Sequence, residues 1–234
     1  IISTSMHNKI EKISVVMSVK NGEKYVARAI ESILNQTFDN FEFIIVNNDS
    51  NDHTPEILST FGRKDSRVKI IKNSNNEKPS EGRMRGIEEA KYDWFALMDA
   101  DDESHPDRFQ KQIEFINKSE MDNLAVLSTY GKYIDKNSKI VANFFSGPTN
   151  LKDFKNIYSR KESFAIIDPS AIIKKSSFLK VGGYRNETFA YDIDLYYKIA
   201  EEGYLIQTIK LPLYFYRVHI GSYSVANTMK QREI

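Results

Sequence analysis

Three aspartates stand within four residues of the chain, in the segment Asp99-Ala100-Asp101-Asp102, directly after the apolar run 94–98. Carboxylates at this spacing repel one another unless a cation neutralises them, and Mg²⁺ and Mn²⁺ prefer oxygen ligands of this kind. The alternative is a solvent-exposed acidic turn that caps the next helix, where an aspartate is also favourable. The spacing therefore indicates either a divalent cation site or a capping turn.

Two further polar segments follow apolar runs in the first half of the chain. The run 13–19 ends in the polar segment 18–21, and the run 41–46 ends in the polar segment 47–52. In an open parallel sheet, ligands bind beyond the carboxyl ends of the strands, where such loops gather. We therefore predict that these loops and the acidic segment line one edge of a sheet and form one site.

The elements that must position this site alternate between strands and helices. Apolar runs predict the strands, and apolar residues at three- and four-residue spacing predict the helices between them. The predicted strands are 13–19, 41–46, 67–72 and 94–98, and the predicted helices include 55–61, 80–90 and one that begins at Pro106. This alternation predicts an α/β fold with a mostly parallel, doubly wound central sheet and helices on both faces.

The second half of the chain has a less regular pattern. We predict strands at 124–130, 140–145 and 171–174, a helix at 192–202, and two strands within 204–218 that are separated at Pro212. These short strands indicate a smaller lobe with a mixed sheet. Because the sequence contains no linker or internal repeat, we expect residues 11–118 and 119–234 to be two lobes of one domain, preceded by a tail, residues 1–10.

Composition excludes several classes of protein. The 33 Lys and Arg residues nearly balance the 32 Asp and Glu residues, so the chain lacks the basic surface that a nucleic-acid partner requires. No cysteine is present, which excludes thiolate metal sites and cysteine nucleophiles. The apolar runs are much shorter than the ~20 residues of a transmembrane helix. We expect a protein of the cytoplasm or of the cytoplasmic face of the membrane, with at most peripheral membrane association.

Several motifs together resemble the family 2 glycosyltransferases. SILNQT at 32–37 resembles the family's S-I-L-x-Q-T, VNNDSNDHT at 46–54 resembles V-D-D-G-S-T-D-G-T, and GRMRGIEEAKYDWFALMDADD at 82–102 resembles the run from A-R-N to D-A-D-D. VGGYRNE, AYDIDLYYKIAEEGY and LPLYFYRVHIGSYS follow in the family's order. The resemblance covers almost the whole chain. It implies a GT-A fold and an inverting, metal-dependent transfer of a sugar from a nucleotide-diphosphate donor.

The resemblance implies roles for the acidic segment and for one histidine. Asp101 matches the second aspartate of the family's D-x-D motif and would bind the Mn²⁺ or Mg²⁺ that bridges the donor diphosphate. Asp99 and Ala100 would lie against the donor, with Asp99 near its ribose. His219, in the segment that resembles Y-R-x-H, would be a third metal ligand or would contact the phosphates; the alternative is a histidine with a structural role only.

The resemblance also implies a catalytic base and a cationic partner for it. Asp192 matches the family's base, which accepts the proton of the acceptor hydroxyl. The alternative is that Asp192 caps the helix, and Asp194 could take either part. Arg83 matches the arginine of A-R-N and would pair with the base or with the diphosphate. The alternative for Arg83 is a solvated position on a helix surface, where most arginines lie.

The expected nucleobase contacts are Ser18, Lys20 and Asn48. Ser18 matches a base-contacting position, whereas Lys20 replaces an aromatic residue. Asn48 stands where the family commonly has an aspartate that accepts the N3 hydrogen of uracil, and an amide can either accept or donate. The nucleobase therefore stays open, with uridine favoured. Met84 and Tyr191 also depart from the family pattern.

The resemblance implies that residues 11–118 bind the nucleotide sugar and that residues 119–234 bind the acceptor and carry the base. The Q-x-x-R-W motif of processive synthases is absent, which favours transfer of a single hexosyl or N-acetylhexosaminyl group. The acceptor would be a glycan, a lipid-linked sugar or a protein hydroxyl in the synthesis of a glycan or cell-surface polysaccharide. The alternative is a non-catalytic glycosyltransferase-like module that binds nucleotide sugars or partners.

Overall fold

The computed structural model describes residues 9–73, 79–185 and 191–219. Its strands are β1 (Ile13–Val19), β2 (Phe41–Asn48), β3 (Val68–Asn73), β4 (Trp94–Asp99), β5 (Glu103–Ser104), β6 (Leu124–Ile134), β7 (Ile140–Phe144), β8 (Ile172–Lys174) and β9 (Leu205–Arg217). Its helices are α1 (Val26–Leu34), α2 (Thr54–Lys64), α3 (Pro79–Glu88), α4 (Arg108–Lys118), α5 (Leu151–Ser159), α6 (Lys175–Lys180) and α7 (Tyr191–Glu201). Among these residues, no helix has both the length and the apolar character needed to cross a membrane.

The strands form one continuous sheet in the order β3-β2-β1-β4-β8-β6-β9-β5, and β7 pairs with β6 outside this path. The first four strands are parallel to one another. Strand β8 joins this half to the second half through antiparallel pairing with β4 and β6, and β6 and β9 are parallel. The predicted α/β fold with a mostly parallel, doubly wound sheet is confirmed.

Helices cover both faces of the sheet, and the residues of β1 are apolar on both sides. Val15 and Met17 pack into a buried cluster with residues of α1 and α4. Val16 lies on the opposite face, in a buried cluster with residues of α3 and α7. Parallel strands that are buried on both faces have nearly continuous apolar sequences, which explains the unbroken runs seen in the first half.

The structure corrects the predicted strand break at Pro212. Residues 205–217 form one strand, and Pro212 lies opposite Tyr130, where the register between β6 and β9 shifts. Proline cannot donate a backbone hydrogen bond, and a register irregularity removes the need for one. The proline therefore interrupts the regular pairing without ending the strand.

Other boundaries differ from the sequence prediction by a few residues. Helix α4 begins at Arg108, two residues after the predicted start, and α5, α6 and β5 were not predicted. Most of the predicted tail lies outside the described residues, but Ile10 is bonded to α4: its backbone N–H donates to Asn117 Oδ1 at 2.8 Å. One sheet runs through residues 11–118 and 119–234. The assignment of donor binding to the first range, and of acceptor binding and the base to the second, stays a prediction.

Candidate active site at the carboxyl edge of the sheet

The loops that follow β1 and β2 meet at the carboxyl edge of the sheet. Asn21 and Asp49 adopt left-handed backbone conformations with φ of 52° and 53°, which asparagine and aspartate tolerate better than most residues. The Asn51 backbone N–H donates to Asn21 Oδ1 at 2.9 Å, and the Asn21 backbone N–H donates to Ser50 Oγ at 3.0 Å. The two loops therefore brace each other.

The acidic segment begins at Asp99, the last residue of β4, at the same edge of the sheet. Asp99, Asp101 and Asp102 each offer a carboxylate oxygen, and these oxygens lie within 4.8 Å of one another. Asp102 is only 2% exposed, which does not fit a solvated capping turn. Its Oδ1 accepts from the Arg217 backbone N–H at 2.7 Å, whereas its buried Oδ2 has no hydrogen-bond partner among the described residues. Ala100, between Asp99 and Asp101 in the sequence, is partly buried and packs against the buried cluster that contains Val15 and Met17.

The electrostatics of this cluster favour a bound cation. Burial, and then the charge of Asp99, raise the pKa of the Asp101 carboxyl above its ordinary value. Burial and the charges of Asp101 and Asp99 raise the pKa of Asp102 well above its ordinary value. A divalent cation would offset this repulsion and would occupy the unpartnered oxygen. The donor set therefore fits Mg²⁺ or Mn²⁺.

His219 lies beside the acidic cluster. Its Nε2 is 2.9 Å from Asp101 Oδ2. Its ring packs against the ring of Tyr25 with centroids 5.0 Å apart. Arg217, two residues before His219, is fully buried, and its Nε donates to the backbone carbonyl of Asp101 at 2.7 Å. The end of β9 is thus held against the acidic segment, so His219 can reach an ion bound there.

Arg83 is buried at 7% exposure, so the alternative of a solvated helix position is wrong. One of its terminal nitrogens is paired with Asp99, and the other donates to Asp168 Oδ2 at 2.5 Å. Burial acts to lower the pKa of Arg83, but Asp99, Tyr191 and Asp168 raise it well above its ordinary value. The guanidinium therefore remains charged and joins the acidic segment to a second carboxylate.

Asp168 is the site residue that sequence reasoning missed. It begins a short 3-10 turn, Asp168–Ser170, and its Oδ1 accepts the hydroxyl hydrogen of Tyr196. Burial is the strongest influence and raises the pKa of Asp168 to about 6, although Arg83 counteracts it. The local sequence, Asp-Pro-Ser, resembles an ordinary turn. No local signal could have linked it to an arginine 85 residues away.

Asp192 lies in the first turn of α7 and lines a pocket of about 290 Å³. The lining is mainly apolar and consists of Phe144, Ser146, Ser163, Ala165, Ile166, Asp192, Ile193 and Tyr196. Asp194 has different neighbours: its Oδ2 is 3.3 Å from Lys198 Nζ and 3.4 Å from Arg185 Nε. Of the two aspartates, Asp192 therefore faces the pocket, and Asp194 is held in two ion pairs.

The expected nucleobase contacts lie at the ends of β1 and β2. Asn48 is buried, its Nδ2 donates to Ser18 Oγ at 2.8 Å, and its Oδ1 accepts from Asn73 Nδ2 at 3.2 Å. Helix α3 approaches this pair at Gly82, where a Cβ atom would lie 2.3 Å from Asn48 Nδ2. Lys20 is exposed in the loop after β1. Ser18 and Asn48 thus lie together, at the same sheet edge as the acidic segment.

The SILNQT motif, residues 32–37, helps to position the acidic segment through hydrogen bonds to the residues that follow it. Gln36, at its end, donates from Nε2 to the His105 backbone carbonyl at 2.7 Å and accepts at Oε1 from the Phe109 backbone N–H at 3.1 Å. Ser32 Oγ accepts from the Ser104 backbone N–H at 3.0 Å. These bonds tie α1 to the segment that follows Asp102, so the motif supports the site without reaching it.

Comparison with known proteins finds a family model and related proteins that match most of the chain. A model of the family described as "Glycosyl transferase family 2" matches residues 14–182. The O-antigen biosynthesis glycosyltransferase WbnJ of Escherichia coli is 30% identical over an alignment of 241 residues, gaps included, and the match covers 96% of this chain and 92% of WbnJ. The UDP-Glc:alpha-D-GlcNAc-diphosphoundecaprenol beta-1,3-glucosyltransferase WfaP of Escherichia coli is 28% identical over 226 residues, 95% of this chain and 83% of WfaP.

A solved structure confirms the fold. The crystal structure of S. aureus TarS 1-349 in complex with UDP-GlcNAc superposes with a TM-score of 0.73 at 21% identity. The match covers 91% of this chain and 60% of the TarS chain, so this chain spans less than two thirds of that protein. At this identity the likeness is evidence for the shared fold alone.

Proposed function

The chain belongs to glycosyltransferase family 2, and on that premise we propose that it transfers a single sugar from a nucleotide-diphosphate donor to an acceptor hydroxyl, with inversion. One observation carries the proposal. The three-carboxylate cluster at the end of β4 is linked through Arg83 and Asp168 to the helix that carries Asp192. A cation-binding donor side and a carboxylate for the acceptor side therefore belong to one connected site.

On the donor side, Asp101 would hold Mg²⁺ or Mn²⁺, with His219 and the other two carboxylates close enough to join it. A cation bound there would neutralise the negative charge that develops on the departing diphosphate. Asp99 and Ala100 would contact the donor beside the cation.

We propose a UDP-sugar as the donor. Asn48 Oδ1 already accepts one hydrogen bond, and an amide oxygen has a second lone pair that can accept the N3 hydrogen of uracil. Ser18 would contact the base beside it, and Lys20 is exposed at the same edge. WfaP, whose name states a UDP-Glc donor, supports the choice of nucleotide, and the sugar would be a hexose or an N-acetylhexosamine.

On the acceptor side, Asp192 would act as the general base. As the acceptor oxygen bonds to the anomeric carbon, its proton moves to the Asp192 carboxylate, and the bond from that carbon to the diphosphate breaks with the electron pair leaving on the diphosphate. Attack opposite the leaving group inverts the anomeric centre. The position of Asp192 in the wall of a pocket, where an acceptor can reach it, supports this role.

For the acceptor, we propose a lipid-linked sugar in the synthesis of a cell-surface polysaccharide, at the cytoplasmic face of the membrane. Two observations support this choice. The pocket beside Asp192 is lined mainly by apolar side chains. WfaP acts on a diphosphoundecaprenol-linked sugar, and WbnJ is named for O-antigen biosynthesis.

The donor side is tested by calorimetric titration of UDP, GDP, CDP and dTDP, each with Mn²⁺ and with EDTA. We expect UDP to bind tightest, and its affinity to fall by about tenfold or more in EDTA or in Asp101→Asn, because the cation bridges carboxylate and diphosphate. Transfer is then measured with UDP-glucose and UDP-N-acetylglucosamine and a diphospholipid-linked sugar. If none of the four nucleotides binds, the proposal fails and the non-catalytic module replaces it.

A further inference from the structure

We propose that Asp168 is a positioning residue that couples the two sides of the site, holding Arg83 beside the acidic segment with one oxygen and Tyr196 of the base-carrying helix with the other. The inference rests on the proposed function, because it assigns Asp168 a part in aligning the base with the donor. The family motifs give this residue no role, and the proposed reaction uses it only as a link between the two sides of the site.

Both carboxylate oxygens of Asp168 are used, and they are used by different elements. Oδ2 accepts from Arg83, on α3, at 2.5 Å, and Oδ1 accepts from the Tyr196 hydroxyl, on α7. Asp168 is 7% exposed and Tyr196 is 2% exposed, so water does not compete for these bonds. The carboxylate is therefore a buried bridge between two helices that are distant in the sequence.

The bridge continues to the donor side through Arg83. Its second terminal nitrogen is paired with Asp99, the last residue of β4 and a member of the acidic cluster. A guanidinium is planar and presents its donors in a fixed fork, so two carboxylates bound to it are held in a defined relative position. Asp168 thereby orients Arg83 toward Asp99.

The bridge reaches the base through Tyr196. Tyr196 lies four residues after Asp192 on α7, so the two side chains are on the same face of the helix, one turn apart. Both line the same pocket. A hydrogen bond that holds the Tyr196 hydroxyl therefore restrains the rotation of α7 that would move Asp192 away from an acceptor.

Packing alone does not explain a carboxylate at this position. A buried ion pair often contributes no more stability than apolar residues of similar volume would. Arg83 here serves two carboxylates, and Asp192 adds a third negative charge near Asp168. The burial of these charges is unfavourable, and its effect is to fix the geometry between the donor side and the base.

The test compares Tyr196→Phe with the matched control Tyr184→Phe. Tyr184 is also buried, at 5% exposure, and its hydroxyl has no hydrogen-bond partner among the described residues. Each variant loses one buried hydroxyl, but only Tyr196→Phe cuts the link to Asp168. We expect Tyr196→Phe to lower kcat about tenfold at saturating substrates, because small misplacements of a reacting group slow the chemical step. UDP affinity should stay at the wild-type value in both variants.

Turnover is expressed per UDP-binding site, counted by calorimetry, so that a loss of folded protein does not imitate a loss of positioning. Asp168→Asn is the second variant: an amide nitrogen cannot accept a hydrogen bond, so the side chain cannot accept from both Arg83 and Tyr196, and Arg83 loses a charged partner. We expect both a lower kcat and a weaker UDP affinity. If the wild type is active and Tyr196→Phe and Tyr184→Phe turn over equally per site, the positioning role is overturned and the proposed function stands. Wild-type protein that binds UDP but transfers no sugar would overturn the proposed function as well.

Discussion

At the scale of single residues, neighbours decide which carboxylate can react. Asp192 and Asp194 are two positions apart on one helix turn, and both are acidic residues near its N-terminus. Asp194 is neutralised by Lys198 and Arg185, whereas Asp192 lines the pocket. A base must be able to reach the acceptor hydroxyl, so the difference in surroundings favours Asp192.

Replacing the two aspartates separately should distinguish them. We expect Asp192→Asn to lower kcat by about 10²- to 10⁴-fold, since an amide cannot accept the proton, and to leave UDP affinity unchanged. Asp194→Asn breaks two ion pairs of partly exposed groups and should cost about 1 kcal/mol of stability or less, with turnover near wild type. Steady-state kinetics and UDP calorimetry measure both. Turnover that is lost in Asp194→Asn but retained in Asp192→Asn would reverse the assignment.

Asp168 should make the stability of the protein depend on pH. Its folded pKa of about 6 lies above the ordinary value of 3.8, with Arg83, Tyr196, Asp192 and Asp99 as the groups around it. The folded state therefore binds this proton more tightly than the unfolded chain does. The contribution of Asp168 to stability must fall as the pH rises from about 4 to about 6, by about 3 kcal/mol.

Chemical denaturation at pH 4 and pH 7 measures this effect as a difference between proteins. The wild type should lose stability relative to Asp168→Asn as the pH rises. Asp65→Asn is the control: hydrogen bonding to Arg67 lowers the pKa of Asp65 below its ordinary value of 3.8, so the contribution of Asp65 to stability changes below about pH 4, and the wild type should keep a nearly constant stability relative to that variant between pH 4 and pH 7. A pH-independent difference for Asp168→Asn would contradict the pKa shift.

At the scale of elements, the close approach of α3 to the ends of β1 and β2 shapes the expected nucleobase site. Gly82 permits it, because a side chain there would overlap both Asn48 and Ser18. The same helix carries Arg83 as its next residue, so the position of α3 sets the nucleobase contacts and the Asp99 pairing together. A shift of this one helix would disturb two parts of the site.

Gly82→Ala should therefore weaken both stability and nucleotide binding. The added Cβ would lie 2.3 Å from Asn48 Nδ2 and 2.5 Å from Ser18 Oγ, and such overpacking costs about 1–3 kcal/mol. The control is Gly62→Ala in α2, whose Cβ would meet, among the described residues, only Ile70 Cγ1, at 3.3 Å. Thermal unfolding and UDP calorimetry provide the comparison. Equal effects of the two substitutions would show that the α3 contact does not matter.

At the scale of the whole molecule, the two halves of the chain share a sheet. Strand β4 pairs with β1 of the first half and with β8 of the second, and β8 continues to β6. Buried side chains of β1, β4, β6 and β8 belong to the same core cluster, which also includes α7. The donor and acceptor lobes are therefore expected to be parts of one cooperative unit.

Unfolding in guanidinium chloride should accordingly show one transition. Trp94 is the only tryptophan of the chain and lies at the start of β4, so its fluorescence reports on the junction between the halves. Far-ultraviolet circular dichroism reports on all helices and strands. We expect the two signals to change at the same denaturant concentration. Two separated transitions would mean that residues 11–118 and 119–234 fold independently.

The sequence alone determined the fold of the first half, the family and the acidic segment. Strands buried on both faces have unbroken apolar runs, and polar residues at their ends mark the binding edge, so these features are visible in local patterns. The motifs of the resemblance are also contiguous in the chain. Each of these predictions needed only residues that lie within one element or at its end.

Only the tertiary structure decided which distant side chains meet. The pairing of Asp168 with Arg83 joins residues 85 apart, and nothing near either residue reveals the other. The continuity of β9 through Pro212 depended on the register shift of its partner strand, and the different surroundings of Asp192 and Asp194 depended on Arg185, Lys198 and the pocket. Such contacts arise when elements pack together, so they leave no periodic trace in the sequence.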